Sequence, residues 1–132
     1  KIHHMNIEGN KVVINKSKAE VVSFLTKMDN FEQLMPADTK FEVLGDDIFL
    51  FGLKGMPEIK LKLKEQSDDK VVLGAASDKL PFTLTANLTE IDANKTETNL
   101  SFEGQFNAMM GMMVKGPITK FVGQLTEKLS GI

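Results

Sequence analysis

Phe106-Asn-Ala-Met-Met-Gly-Met-Met-Val-Lys-Gly-Pro-Ile-Thr-Lys-Phe121, running on to Leu129, closes a chain of 132 residues. After Pro117, Ile118, Phe121, Val122, Leu125 and Leu129 recur at helical spacing, and Lys120, Gln124, Glu127 and Lys128 fall on the other side. Proline suits a first helical position and not an interior one. The sequence therefore predicts a long helix from Pro117, with a separate turn or short helix over 108–114 before the Lys115-Gly116 break. Four of the eight methionines (Met109, Met110, Met112 and Met113) crowd into five residues ahead of it. Methionine is flexible and polarizable, so the cluster either fills gaps where helix meets sheet or lines an adaptable apolar cavity.

Working back from that helix, the period becomes two. Thr98, Leu100, Phe102 and Gly104 form one face of a last strand, and Asp92-Ala-Asn-Lys95 makes the hairpin turn before it. Phe82, Leu84, Ala86 and Leu88 alternate in the strand upstream. Glu58-Ile-Lys-Leu-Lys-Leu-Lys-Glu65 places Ile59, Leu61 and Leu63 inward and Lys60, Lys62 and Lys64 outward; a one-residue slip would invert all six. That lysine stripe reads as a solvated strand face that also discourages edge pairing, with attraction to an anionic surface as the alternative. Val71–Ala75, Ile48–Leu53 and Phe41–Leu44 complete six antiparallel strands, joined by turns at Ser67-Asp68-Asp69 and Gly45-Asp46-Asp47. Gly55-Met56-Pro57 breaks the chain, either as a plain turn or as a rim with an apolar tip.

The opening differs in kind. Ile7–Ile14 is β-rich. Ser17-Lys-Ala-Glu20 is a capping box, and Val21, Phe24, Leu25 and Met28 follow at helical spacing for about three turns. A second short helix fits Asn30–Met35 and stops at Pro36. Lys1-Ile2-His3-His4 ahead of Met5 reads as a purification-tag remnant, so that 1–4 stand apart from a single domain over 5–132. On that reading the native chain has no histidine, the side chain most used for acid–base catalysis near neutral pH.

This order of elements resembles the START-like, Bet v 1-like superfamily of helix-grip proteins from Asn6 to Ile132. The segments that carry it are Ser17-Lys-Ala-Glu-Val-Val-Ser-Phe-Leu25, Asn30-Phe31 through Leu34-Met35-Pro36, and Lys115-Gly-Pro-Ile118. The Leu-Met-Pro segment and the meander after it also resemble the family named for the G component of carbon-monoxide dehydrogenase. The resemblance implies an α+β helix-grip fold: a curved seven-stranded antiparallel sheet wrapped around the C-terminal helix, with two short helices after the first strand. It also implies a cavity between sheet and helix for a lipid, sterol or polyketide-like ligand. Such folds host cyclases, aromatases and chaperone cofactors too, so fold alone does not give function.

Composition narrows the choice. A net charge of −2 leaves no broad basic field for nucleic acid, and every basic residue is a lysine, without arginine's bidentate fork. No apolar run approaches the roughly 20 residues of a membrane span. The absence of cysteine fits a reducing compartment, and the cytoplasm is the expected location. The candidate ligand-binding residues are Phe51, Leu53, Met56, Ile59, Leu61, Phe82, Leu84, Leu100, Phe102, Phe106, Met109, Met110, Met113, Ile118 and Phe121. Polar candidates for an inward face are Thr98, Asn107, Gln105, and Glu42 or Glu103, which form no triad or metal set, and the carboxylates of Glu42 and Glu103 are expected to face solvent. Asp46-Asp47 and Asp68-Asp69 sit in turns, where aspartate is favoured for backbone reasons. No catalytic residue, metal or cofactor is expected. The expected function is non-enzymatic binding of a small apolar molecule; the alternative is an assembly module for a larger enzyme or a membrane.

Overall fold

A computed structural model describes residues 2–37, 39–52, 58–76 and 82–132. The chain runs β1 (Ile2–Glu8), β2 (Val12–Ile14), α1 (Lys18–Leu25), a 3-10 helix (Met28–Leu34), β3 (Lys40–Gly45), β4 (Ile48–Gly52), β5 (Ile59–Gln66), β6 (Lys70–Ala75), β7 (Phe82–Asp92), β8 (Lys95–Asn107) and α2 (Ala108–Leu129). The sheet is antiparallel, in the order β1-β8-β7-β6-β5-β4-β3, and β2 also pairs with β8.

Eight strands replace the seven expected, because the first strand divides in two. β8 takes β1 along Ser101–Asn107 and β2 along Thr96–Thr98. Gly9 sits at the break, donating its N–H to the Leu100 carbonyl and accepting from the Asn99 side chain, both at 2.8 Å. Residues 2–4 pair with Asn107, Phe106 and Gln105 and so extend the sheet.

The capping box forms as the sequence predicts: the Ser17 N–H donates to Glu20 Oε1 at 3.1 Å, and the Glu20 N–H donates to Ser17 Oγ at 3.2 Å. The helix behind it is shorter than expected, with eight residues. The second short helix is 3-10 and begins at Met28 rather than Asn30, burying Met28, Phe31 and Leu34.

The strand register follows the period-two pattern. Ile59 and Leu61 are buried, Leu63 is half-buried, and Lys60, Lys62 and Lys64 are exposed. Phe82, Leu84, Ala86 and Leu88 on β7, and Leu100, Phe102 and Phe106 on β8, complete the buried face. Each large side chain among them contributes roughly 1.5–3 kcal/mol by leaving water.

The C-terminal helix departs from expectation. It is one continuous helix of 22 residues with Pro117 inside it. The Asn107 side chain sets its start by accepting the Met110 N–H at 2.8 Å. From there Val114, Ile118, Phe121, Val122, Leu125 and Leu129 form one buried stripe across the proline. Pro117 removes one helical hydrogen bond, and burial on both sides of it carries the helix through.

Candidate functional site

The inward candidates that lie on described elements do come together. Phe51, Ile59, Leu61, Phe82, Leu84, Leu100, Phe102, Phe106, Ile118 and Phe121 are all buried in one core. They are packed on one another. Phe31 stacks on Phe49 at 5.0 Å between ring centroids, Phe49 lies 6.0 Å from Phe51, and Phe51 stacks on Phe121 at 4.9 Å. These rings link the 3-10 helix, β4 and α2. A second group joins Phe82, Phe102 and Phe106. Among the described residues, an apolar void of about 20 Å³ lies in this core, bounded by side chains that include Leu25, Phe31, Leu34, Val71, Leu73, Leu84, Leu100 and Leu125. One water needs about 10–15 Å³ by the same measure, and a wholly apolar void stays dry. This void does not hold a ligand.

Space for a ligand lies at the open edge between helix and sheet. A groove of about 690 Å³ is bounded by Pro36, Ala37, Thr39, Lys40, Gly52, Glu58, Pro117, Lys120, Phe121 and Gln124. Small-molecule sites are typically about 300–1,000 Å³. Sheet register builds one wall: Lys40 pairs with Gly52, and Phe51 with Ile59, which sets Glu58 beside Gly52. Lys40 Nζ meets Glu58 Oε2 at 2.5 Å. The hydrogen bond and charge of Glu58 hold the Lys40 ammonium above its usual pKa. Lys128 Nζ donates to the Met35 carbonyl at 2.9 Å, tying the end of α2 to the connector that forms the other wall. Among the sequence candidates on described residues, only Phe121 lines this groove.

The methionines divide. Met110 is half-buried against the core, whereas Met109, Met112 and Met113 are 80%, 84% and 50% exposed. Met109 and Met113 thus face solvent and not the interior, a correction that follows from the early start of α2. Leu53 and Met56, with the rest of Gly55-Met56-Pro57, lie outside the described residues. Thr98 points inward, and its buried Oγ1 has no hydrogen-bond partner among the described residues. Asn107 is the cap of α2, and Gln105, Glu42 and Glu103 face solvent. Glu103 Oε2 lies 3.6 Å from His4 Nε2. Asp46-Asp47 and Asp68-Asp69 are in turns and bends. No group of three His, Asp or Glu residues among those described could hold a metal ion.

The sheet order, the two short helices and the α2 packing match solved structures over almost the whole chain. The chain has the helix-grip fold of START-like and Bet v 1-like proteins. A point mutant of norcoclaurine synthase from Thalictrum flavum, in complex with a transition-state analogue, is 14% identical with a TM-score of 0.73, over 99% of this chain and 94% of that one. A START superfamily protein from Mycobacterium smegmatis is 12% identical with a TM-score of 0.71, over 98% and 95%. An aromatase/cyclase from a Streptomyces species is 10% identical with a TM-score of 0.66, over 98% and 93%. No protein-family model matches the sequence, and no curated protein matches it. At these identities the likeness gives the helix-grip fold. The finer likeness to the carbon-monoxide-dehydrogenase component rests on sequence segments alone.

The groove residues other than Phe121 escape a sequence reading because they are not a hydrophobic pattern. Lys40, Gly52 and Glu58 meet only through strand pairing. Pro36 signals the end of the 3-10 helix, and that punctuation is the one local sign of a wall there.

Proposed function

We propose that this chain binds a small apolar molecule in the groove beside α2 and carries out no chemistry on it. The observation that supports the reading is the groove itself, which is large enough for a ligand and is bounded in part by Pro36, Ala37 and Pro117. The apolar void among the described core residues, by contrast, has room for about one water. The ligand-bearing character of helix-grip neighbours is consistent with it. Two of those neighbours are named as enzymes, a synthase and an aromatase/cyclase. A non-catalytic role here is supported by where the carboxylates stand: Glu42 and Glu103 are exposed, and the Asp pairs occupy turns.

Mass spectrometry of small molecules co-purified from the native host, joined to a thermal-shift screen of fatty acids, sterols and aromatic polyketides, tests the reading. A bound class that raises the melting temperature, and no longer does so when Ala37→Trp fills the groove, is the expected result. No bound molecule and no shift from any class would overturn it.

A second reading has its own observation. Met109, Met112 and Met113 form an exposed apolar face on the first turns of α2. Contiguous exposed apolar faces mark interaction sites, so a role as an assembly module is supported there.

A further inference from the structure

Met109, Met112 and Met113 stand three and four residues apart in the first turns of α2, so their side chains rise from one face of the helix. All three are exposed, on the side away from the Val114, Ile118 and Phe121 stripe that packs into the core. Packing gives them no role, whereas Met110 in the same run is half-buried against the core. What the face offers is sulfur. Each thioether is polarizable and rides on three rotatable bonds. Helical neighbours at these spacings have Cβ atoms about 5–6 Å apart, so the three sulfurs can close on one ion above Met109. Gly116, which follows Met112 by four and Met113 by three, leaves the space over the next turn open: nothing lies within 4 Å of a Cβ built there.

The helix brings no hard donor to this turn. Asn107 is used as the cap, Lys115 follows the run, and the first acidic residue of α2 is Glu127. The partial positive charge of a helix N-terminus, with the Lys115 ammonium added, repels a cation held by charge alone. A cation held by soft sulfur donation escapes that limit, and thioethers select copper(I) among the biological metals.

We propose that Met109, Met112 and Met113 are a three-thioether site for one soft monovalent ion of the copper(I) class. The ion is bound without change of oxidation state and takes all its protein ligands from one turn of one chain. The site is independent of the groove, which none of these three methionines lines.

Silver(I), of the same charge and softness and inert to redox change, is the probe. It is titrated into the full chain in chloride-free buffer while the methionine methyl signals are followed by NMR, and native mass spectrometry counts ions per chain. The Met109, Met112 and Met113 methyls are expected to move together to an endpoint at one ion per chain, with those of the buried Met28 and Met35 unmoved. Met109→Leu, Met112→Leu and Met113→Leu combined keep bulk and helix propensity and should abolish the binding. Each single change should weaken it at least about tenfold, since loss of even an outer-shell partner costs that much. Methyls that titrate independently, each with the affinity of free N-acetylmethionine amide, overturn the site. So does silver that moves the His3 and His4 ring signals in place of the methyls, or binding that survives the triple leucine variant.

Discussion

Gly9 lies directly against Thr126: a Cβ built at Gly9 would stand 2.5 Å from Thr126 Oγ1 and 3.2 Å from Val122 Cγ1. The break between β1 and β2 is thus a place where α2 presses on the sheet's backbone. Thr126 is buried and directs its hydroxyl to the Val122 carbonyl at 2.8 Å, so it has little freedom to retreat. Gly9→Ala is expected to destabilise the protein by about 1–3 kcal/mol, the usual cost of overpacking. In a Thr126→Ala background the same change should cost less, because the hydroxyl it strikes is gone. Urea unfolding of the double-mutant cycle measures the coupling, and a purely additive result would refute the contact.

Thr98 carries the opposite defect. Its Oγ1 is buried without a partner among the described residues, and an unmet buried polar group costs about 1–3 kcal/mol. Valine has nearly the same shape and suits a strand. Thr98→Val should raise the urea midpoint without altering its slope. A fall in stability would mean that the hydroxyl has a partner.

Pro117 tests how α2 tolerates its own sequence. Alanine restores the hydrogen bond to the Met113 carbonyl, and proline is about 3 kcal/mol worse than alanine inside a helix. Stiffening of the unfolded chain by proline returns about 0.4–1 kcal/mol. Pro117→Ala should therefore stabilise by about 2–2.6 kcal/mol. A loss of stability would mean that the site is shaped around the ring.

The same proline explains what the sequence hides. The strands are legible because period-two alternation reports burial directly: Ile59 and Leu61 lie inside, Lys60 and Lys62 outside. The helix start is misplaced when local propensity at Pro117 is set above the stripe. Stepping back from Ile118 by fours gives Val114 and Met110, the members of the cluster region that do turn toward the core. That phase leaves Met109, Met112 and Met113 outside. The groove is illegible for another reason. Its walls depend on how β3, β4 and β5 align with α2, which no local pattern encodes.

The capping box gives the acid side of the stability profile. The Ser17 backbone N–H, then the Ser17 side chain, hold the Glu20 carboxyl below its usual pKa. A depressed carboxylate contributes stability that is present above the unfolded-state value and disappears as pH falls through the folded one. Glu20→Gln should thus be less stable than wild type near neutrality, and the gap should close as pH drops below the ordinary glutamate range. Paired urea titrations at several pH values check this, and a gap that stays constant would assign the bond no electrostatic part. Ser17→Ala should cost about 0.5–2 kcal/mol through the lost cap.

The exposed methionines separate the two functional readings. At 80% and 84% exposure, Met109 and Met112 give the core almost nothing. Replacing Met109, Met112 and Met113 together with glutamine should change stability by no more than about 0.5 kcal/mol for each surface site. Binding of small molecules in the groove should also persist, because none of these three methionines lines it. If this face docks a protein, the triple variant should lose a partner that wild type retains in cross-linking from host cells, with groove binding intact. Loss of groove binding in the variant would instead join the methionines to the ligand site. Adding the groove-filling Ala37→Trp then completes the separation: it should abolish ligand binding and leave the cross-linked partner in place.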